Sequence, residues 1–412
     1  MDPDRAKELD RRLVDAASEV RVLSRLTWGE APVERFLRGW RAGNPRLPEV
    51  ELEAPDLDDV RAELDAVAAA ADPDDPLQAF VRDTAQSYST AVRMLDSMGT
   101  PAFTELSVEL YGRPGDGVPG GRHTHAELAE RLLDNTDDLR AAGVVSEEDL
   151  CLTADTVAAH LTEAFSSFFG DRAPSIEIDP DLASKAAAGA SRVRLRGKTC
   201  FTEVDVLQLR EHEGFVHAAT MMNGRSQPIL TCMGISTPRT TLTQEGLATF
   251  AEVVTHAIDI ARLRRLALRT VAIRAALDGG DFLDVFRVFL EGGQTEDESA
   301  RSAMRVYRGG DPRGGVPFTK DLVYLAGLVA VHSYLRKAIA EARPELVRRL
   351  FAGRLSLSDV VSLDEAFEAG HLDDSGFVAP WATRLDRLGA YLAFSAALDR
   401  VDLSMVSLEA PL

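Results

Sequence analysis

The sequence predicts a helix-dominated α+β fold, and three observations predict it. Apolar residues recur at three- and four-residue spacing over most of the chain, the period of a helix with one buried face. Only two short stretches, 175–178 and 192–196, alternate as a half-buried strand does. Glycine and proline clusters cut the helical pattern into segments of ordinary length.

Residues 4–27 read as one amphipathic helix, with Leu9, Leu13, Ala16, Val20 and Leu23 along one stripe. A proline-rich loop around Pro45 to Pro55 follows. The helical pattern resumes over 57–71, stops at Asp72-Pro73-Asp74-Asp75-Pro76 and restarts to about residue 98. Tyr111-Gly112-Arg113-Pro114 to Gly120-Gly121 is a glycine- and proline-rich loop. Ser175-Ile176-Glu177-Ile178 and Arg192-Val193-Arg194-Leu195-Arg196 are the strands. The chain turns helical again from about Glu203, and a second long helix begins near Thr243, a residue type that caps helices. The remainder, 260–412, is largely helical, broken at Gly279-Gly280, from Gly309 to Gly315 and at Gly370. At 412 residues the chain exceeds the size at which one core keeps growing. The expected division is an N-terminal helical region, 1–95, and a larger domain, 96–412.

Composition excludes several function classes. An apolar fraction of 45% argues for a folded chain, and a net charge of −20 disfavours nucleic acid and anionic membrane surfaces as partners. Cys151, Cys200 and Cys232 are an odd count without CxxC spacing, which fits a reducing cytoplasm and neither a disulfide scaffold nor a cysteine zinc ribbon. The start of the chain lacks a basic-then-apolar signal pattern, and no apolar run approaches the roughly 18 residues of a bilayer span. The expectation is a soluble cytoplasmic protein.

The stretch that carries chemistry is His212-Glu213-Gly214-Phe215-Val216-His217, an HExxxH run, followed by Gln244-Glu245-Gly246-Leu247-Ala248. Two imidazoles and a carboxylate are a hydrolytic zinc donor set, with one coordination position left open. Histidines four apart stand about 40° apart around a regular helix, whereas five apart they diverge by about 140°. A common face therefore requires a wider π-type turn, eased by the missing Cβ of Gly214. A bulged helix at 212–217 is the prediction. Glu213 would be the general base for water activated by the metal. Glu245 is the best third donor because it sits on a separate helix that can cross the first. Glu252 and His256 share roughly its face, as rival ligands or as groups orienting an imidazole.

The pairing of HExxxH with Thr243-Gln244-Glu245-Gly246-Leu247-Ala248 resembles the QEGLA-motif proteins, whose eukaryotic relatives are the microtubule-associated tyrosine carboxypeptidases. The likeness extends through Leu23-Ser24-Arg25-Leu26-Thr27, Leu110-Tyr111-Gly112-Arg113-Pro114, Asn223-Gly224 to Gln227-Pro228, Tyr307-Arg308-Gly309 and Lys320-Asp321-Leu322-Val323-Tyr324. Relatives commonly carry an Ile-Gly pair after the glutamate, where this chain has Gly214 and then Phe215. The resemblance implies a zinc-peptidase-like catalytic domain with His212, His217 and Glu245 as metal ligands and Glu213 as catalytic glutamate. It also implies a carboxypeptidase, whose substrate is a peptide or protein C-terminus.

Such an enzyme needs a cation for the terminal carboxylate and a donor for the oxyanion. Arg308 is the first choice for the carboxylate and Lys320 the second; Tyr324 or Tyr307 would serve the oxyanion. Asn223 and Gln227 line the cleft or form a turn. His123 and His125 read as a solvated loop, His160 and His332 as core residues. Arg262, Arg264, Arg265, Arg269 and Arg274 read as a charged solvent face. The leading expectation is a zinc metallopeptidase of carboxypeptidase type. The alternatives are a zinc hydrolase trimming a modified precursor peptide and a regulatory scaffold with a structural zinc.

Overall fold

The computed structural model describes residues 1–141, 151–180, 182, 184–374 and 376–398. Helices dominate it, and one three-stranded sheet stands beside the motif helix. Strands β1 (Ser175–Asp179), β2 (Ala186–Ala188) and β3 (Arg192–Arg196) lie in the order β1-β3-β2, with β1 parallel and β2 antiparallel to β3. The general class is therefore helix-dominated α+β. The expected helical content of 399–412 lies outside the described residues.

The motif helix runs unbroken from Glu203 to Arg225 but changes pitch twice. Glu203–Leu209 is α-helical, Arg210–Ala218 is π-helical and Ala219–Arg225 is α-helical again. A capping box starts it: Thr202 Oγ1 accepts from Asp205 N, and Asp205 accepts from Thr202 N. Gly214 has a packing role more than a backbone one. A Cβ there would stand 2.1 Å from Cε1 of buried Phe165, on the Ala154–Phe169 helix. Gly214→Ala should accordingly cost at least about 1–3 kcal/mol of overpacking and lower the melting temperature, with Phe165→Leu restoring part of the loss. An unchanged melting temperature would show that the ring yields freely.

The glutamate helix spans Pro238–Val254 and starts earlier than the sequence suggested. Pro238 occupies the first turn, where its fixed φ suits a helix start. Thr243 is no cap: its hydroxyl accepts from Leu357 N at 3.1 Å, so Gln244 and Glu245 lie about two turns inside the helix. This helix packs closely on Val323–Ala340 because Gly246 and Gly327 face each other; a Cβ on Gly246 would stand 2.3 Å from Gly327 O. By length and composition Lys320–Ala340 could cross a bilayer, contrary to the sequence reading, and along it only Lys337 and Ala340 are exposed.

The single helix expected over 4–27 is two, Pro3–Ala17 and Val22–Leu26, and the break lets Leu23, Ser24 and Thr27 reach the cavity described below. Buried Asp10 accepts from the backbone of Thr231 and Cys232, joining the N-terminal helix to the turn after the motif helix. Cys151 and Cys200 are disulfide-bonded, against the expectation of no disulfide. The Leu152–Phe201 bridge sets these distant residues side by side, a pairing invisible in their spacing. Cys232 is free and buried.

The arginine helix, Ile260–Leu277, also departs from expectation. Arg262 and Arg264 are buried, and Arg269 lies over the Tyr324 ring at 4.5 Å. Arg262 and Arg269 pair internally with Glu252 and Asp321, whereas Arg264 reaches the exposed Asp137 and Arg274 pairs with Glu130 at the surface, so only part of the expected solvent face meets solvent. His160 is exposed and His332 partly buried; His125 is buried while His123 is exposed.

Candidate metal and active site

The π turn settles the spacing problem. Bonding from i to i+5 sets residue i+5 nearly above residue i, so His212 and His217 share a face. Their rings lie 4.7 Å apart at 88°. The glutamate helix brings Glu245 opposite them, with Oε2 3.5 Å from His212 Nε2 and 3.6 Å from His217 Nε2. Among the described residues these three are the cluster able to hold a metal ion, with donor atoms all within 4.8 Å of one another. Bonds of about 2.0–2.1 Å at tetrahedral angles would put donors roughly 3.4 Å apart, so the donor set fits a zinc-sized ion.

Each donor is oriented from behind. His212 Nδ1 lies 2.7 Å from Oε1 of Glu252, which turns Nε2 toward Glu245. Glu252 is fully buried and is gripped at both oxygens by Arg262, from Nε at 3.0 Å and Nη2 at 3.0 Å. Burial alone would raise the Glu252 pKa, but Arg262 and His212 hold it at about 2. Glu252 is thus a supporting group; His256, exposed just past the helix end at φ 58°, takes no part.

Lys320 Nζ donates to Glu245 Oε1 at 2.6 Å and lies 3.3 Å from the Tyr324 hydroxyl. One oxygen of Glu245 is thereby engaged and the other faces the imidazoles. Burial is overcome by Lys320 and the two histidines, which keep Glu245 ionised well below the ordinary carboxylate range. In the metal-free site the two histidines differ. Burial would lower both, but His212 sits between Glu245 and Glu252 and is raised to about 10. His217 has Glu245 and, more weakly, Glu213 against burial and the charge on His212, and is lowered; among the described residues its buried Nδ1 has no partner.

Glu213 follows His212 on the π turn and lines the same cavity. Its Oε2 accepts from the backbone N–H of Ala188 on β2 at 3.0 Å, so the outer strand of the sheet fixes the carboxylate. A cavity of about 530 Å³ contains His212, Glu213, His217 and Glu245 in its wall, with Tyr324, Lys320, Arg308 and Arg354. A second, about 470 Å³, shares His212, Glu213, Arg301, Arg305 and Tyr324 with the first and continues along Arg262, Arg265 and Arg269.

Sequence reasoning and geometry part company over the substrate-facing groups. Lys320 already donates to Glu245 and to the Tyr324 hydroxyl, so its charge is largely spent on the donor cluster. Arg308 is buried and lies over Phe318; its nearest acid is Asp321 at 3.9 Å. That carboxylate is already held by both nitrogens of a fork from Arg305, at 2.6 and 2.8 Å, and has Arg269 at 3.7 Å. Burial and Arg305 push the Arg308 pKa down to about 10. Tyr324 lines both cavities, whereas Tyr307 is fully buried and donates its hydroxyl to Gly280 O. Asn223 and Gln227 bracket the turn that ends the motif helix, where Ser226 N donates to Asn223 O and Gln227 N to Gly224 O, and neither stands in the wall of the two cavities. Asn223 Nδ2 donates to Phe351 O and Phe377 O, and Gln227 Nε2 to Ala352 O and Asp373 O, so both clamp the chain around 351–377.

Arg354, Gln244 and the Ala188 N–H were missed by sequence reasoning. Arg354 follows Gly353 in no motif, and the role of a strand N–H depends wholly on what packs against it. Curated proteins offer no match to the chain. A family model described as microtubule-associated tyrosine carboxypeptidase matches residues 34–400. With so much of its length matched, the chain belongs to that carboxypeptidase family, whose activity is directed at peptide or protein C-termini.

Proposed function

We propose that this protein is a zinc-dependent carboxypeptidase with His212, His217 and Glu245 as ligands and Glu213 as general base. The observation that supports it most is the convergence of those three donors in a cavity wall beside a carboxylate that is not among them. Zinc, when bound, supplies Lewis acidity and lowers the pKa of water toward neutrality. Glu213 then takes the water's proton and passes it to the departing amine, while the Ala188 N–H keeps its carboxylate aligned. The Tyr324 hydroxyl, which accepts from Lys320, retains its own proton for the oxygen that gains charge. Arg308 shares Asp321 with two other arginines and so presents uncompensated positive charge to substrate.

Two measurements test this reading. Purified protein should carry close to one zinc per chain, and chelation should abolish release of the last residue from a synthetic peptide. Zinc absent from the protein, or cleavage that survives chelation, would sink it. Proton linkage gives a further check. His212, raised to about 10 without metal, must lose its proton for Nε2 to coordinate. The sign follows: below pH 10 the proton competes, so zinc affinity should fall about tenfold per pH unit on acidification. Competition with a chromophoric chelator at pH 7, 8 and 9 reads that slope; a flat profile would show His212 already neutral.

A further inference from the structure

Of the cations around the first cavity, Arg354 is the one without an ion-pair partner within 4 Å among the described residues, Glu245 and Glu213 acting on it only from farther off. Its residue is only 9% exposed, its Nε is a buried donor without a partner, and its side chain makes no ion pair or hydrogen bond among the described residues. An isolated buried charge is costly and is ordinarily paired. The same cavity wall carries Gln244, 2% exposed, whose Oε1 accepts from Thr220 at 2.9 Å and whose Nε2 is likewise buried and without a partner among the described residues.

Both groups are on rigid backbone. Arg354 N–H donates to Met233 O at 2.6 Å, Leu357 N–H donates to Thr243, and Asn223 and Gln227 hold the carbonyls of Phe351 and Ala352. The segment carrying the guanidinium is therefore fastened to the motif helix and to the residue before Gln244. Position separates this pair from Arg301 and Arg305, which line both cavities, whereas Gln244 and Arg354, like His217, Glu245, Lys320 and Arg308, line only the first. What separates Arg354 from Lys320 and Arg308 is that each of those has an acid within ion-pair distance.

We propose that Arg354 and the Gln244 amide bind the free carboxylate of the peptide's last residue, and that the preceding chain runs toward Arg305 and the second cavity. A guanidinium and an amide N–H facing one cavity are donors of the kind a carboxylate accepts. The bound carboxylate supplies the direct ion pair that Arg354 lacks. Arg308, on the Asp321 side, then meets other parts of the substrate. This assignment rests on the carboxypeptidase reading above.

The test uses the full chain, zinc-loaded and carrying Glu213→Gln to prevent turnover, with acetyl-Ala-Ala-Tyr and its C-terminal amide as probes in calorimetry. The acid should bind roughly 10- to 100-fold more tightly than the amide, the range for hydrogen bonds to a charged group. Arg354→Gln should abolish that preference by weakening acid binding alone, Arg354→Lys should retain part of it, and Arg308→Gln should leave it intact. Arg354→Met should also raise the melting temperature, since a buried unpaired charge is gone, which a structural role would not allow. Equal binding of acid and amide by the parent, a preference that survives Arg354→Gln, or one lost in Arg308→Gln instead would overturn the assignment. Binding is read without cleavage, so a chain that holds the acid through Arg354 yet hydrolyses nothing defeats the peptidase reading and leaves the subsite standing.

Discussion

Glu213→Gln should lower peptide cleavage by roughly 10²- to 10⁴-fold, the ordinary contribution of a positioned general base, while leaving zinc content and thermal stability at parental values. The substitution is isosteric, and a glutamine oxygen can still accept from the Ala188 N–H. What it removes is the ability to hold a proton between water and leaving group. Two assays decide the matter together: metal analysis of the variant, and release of the terminal residue under single-turnover conditions. Undiminished turnover would exclude Glu213 as base, whereas lost zinc would mean that it helps to hold the metal.

The second large effect is expected at a residue that touches neither metal nor substrate. Glu252→Met removes the acceptor behind His212 and leaves the Arg262 guanidinium buried without its counter-charge. Breaking a buried pair from one side costs about 3–5 kcal/mol, which urea denaturation of the metal-free protein should register. Loss of the orienting acceptor should weaken zinc binding a further ~10- to 100-fold. Adding Arg262→Met separates the two consequences. Stability should return in large part, because the orphaned charge is gone, whereas zinc affinity should stay low, because His212 still lacks its support. Recovery of zinc affinity in the double variant would mean that Glu252 acts on the metal site only through global stability.

Much of the site was legible in the sequence because its decisive feature is local. Five-residue spacing between His212 and His217 is incompatible with a common face on a regular helix, so a π segment was required, and Arg210–Ala218 is one. Gly214 was noted for a reason that proved secondary: Phe165, from another helix, imposes the requirement. The arginine helix was misread in part for a related cause. Arg262 and Arg269 look like part of a solvent face until Glu252 and Asp321 are brought to them from elsewhere. Lys320 was a candidate for substrate and is the partner of Glu245. Tyr307, adjacent to Arg308 in the chain, points to Gly280 instead of the cavity.

The sequence by itself determined the helix-rich class, the donor types and the distortion their spacing demands, because helical periodicity is arithmetic over a few residues. Tertiary structure decided which charges are neutralised and which stay open. Glu252 behind His212, Ala188 against Glu213, Lys320 on Glu245 and the unpartnered Arg354 all depend on contacts between segments far apart in the chain. No spacing rule encodes such pairings, since a buried charge takes its partner from whichever element packs against it.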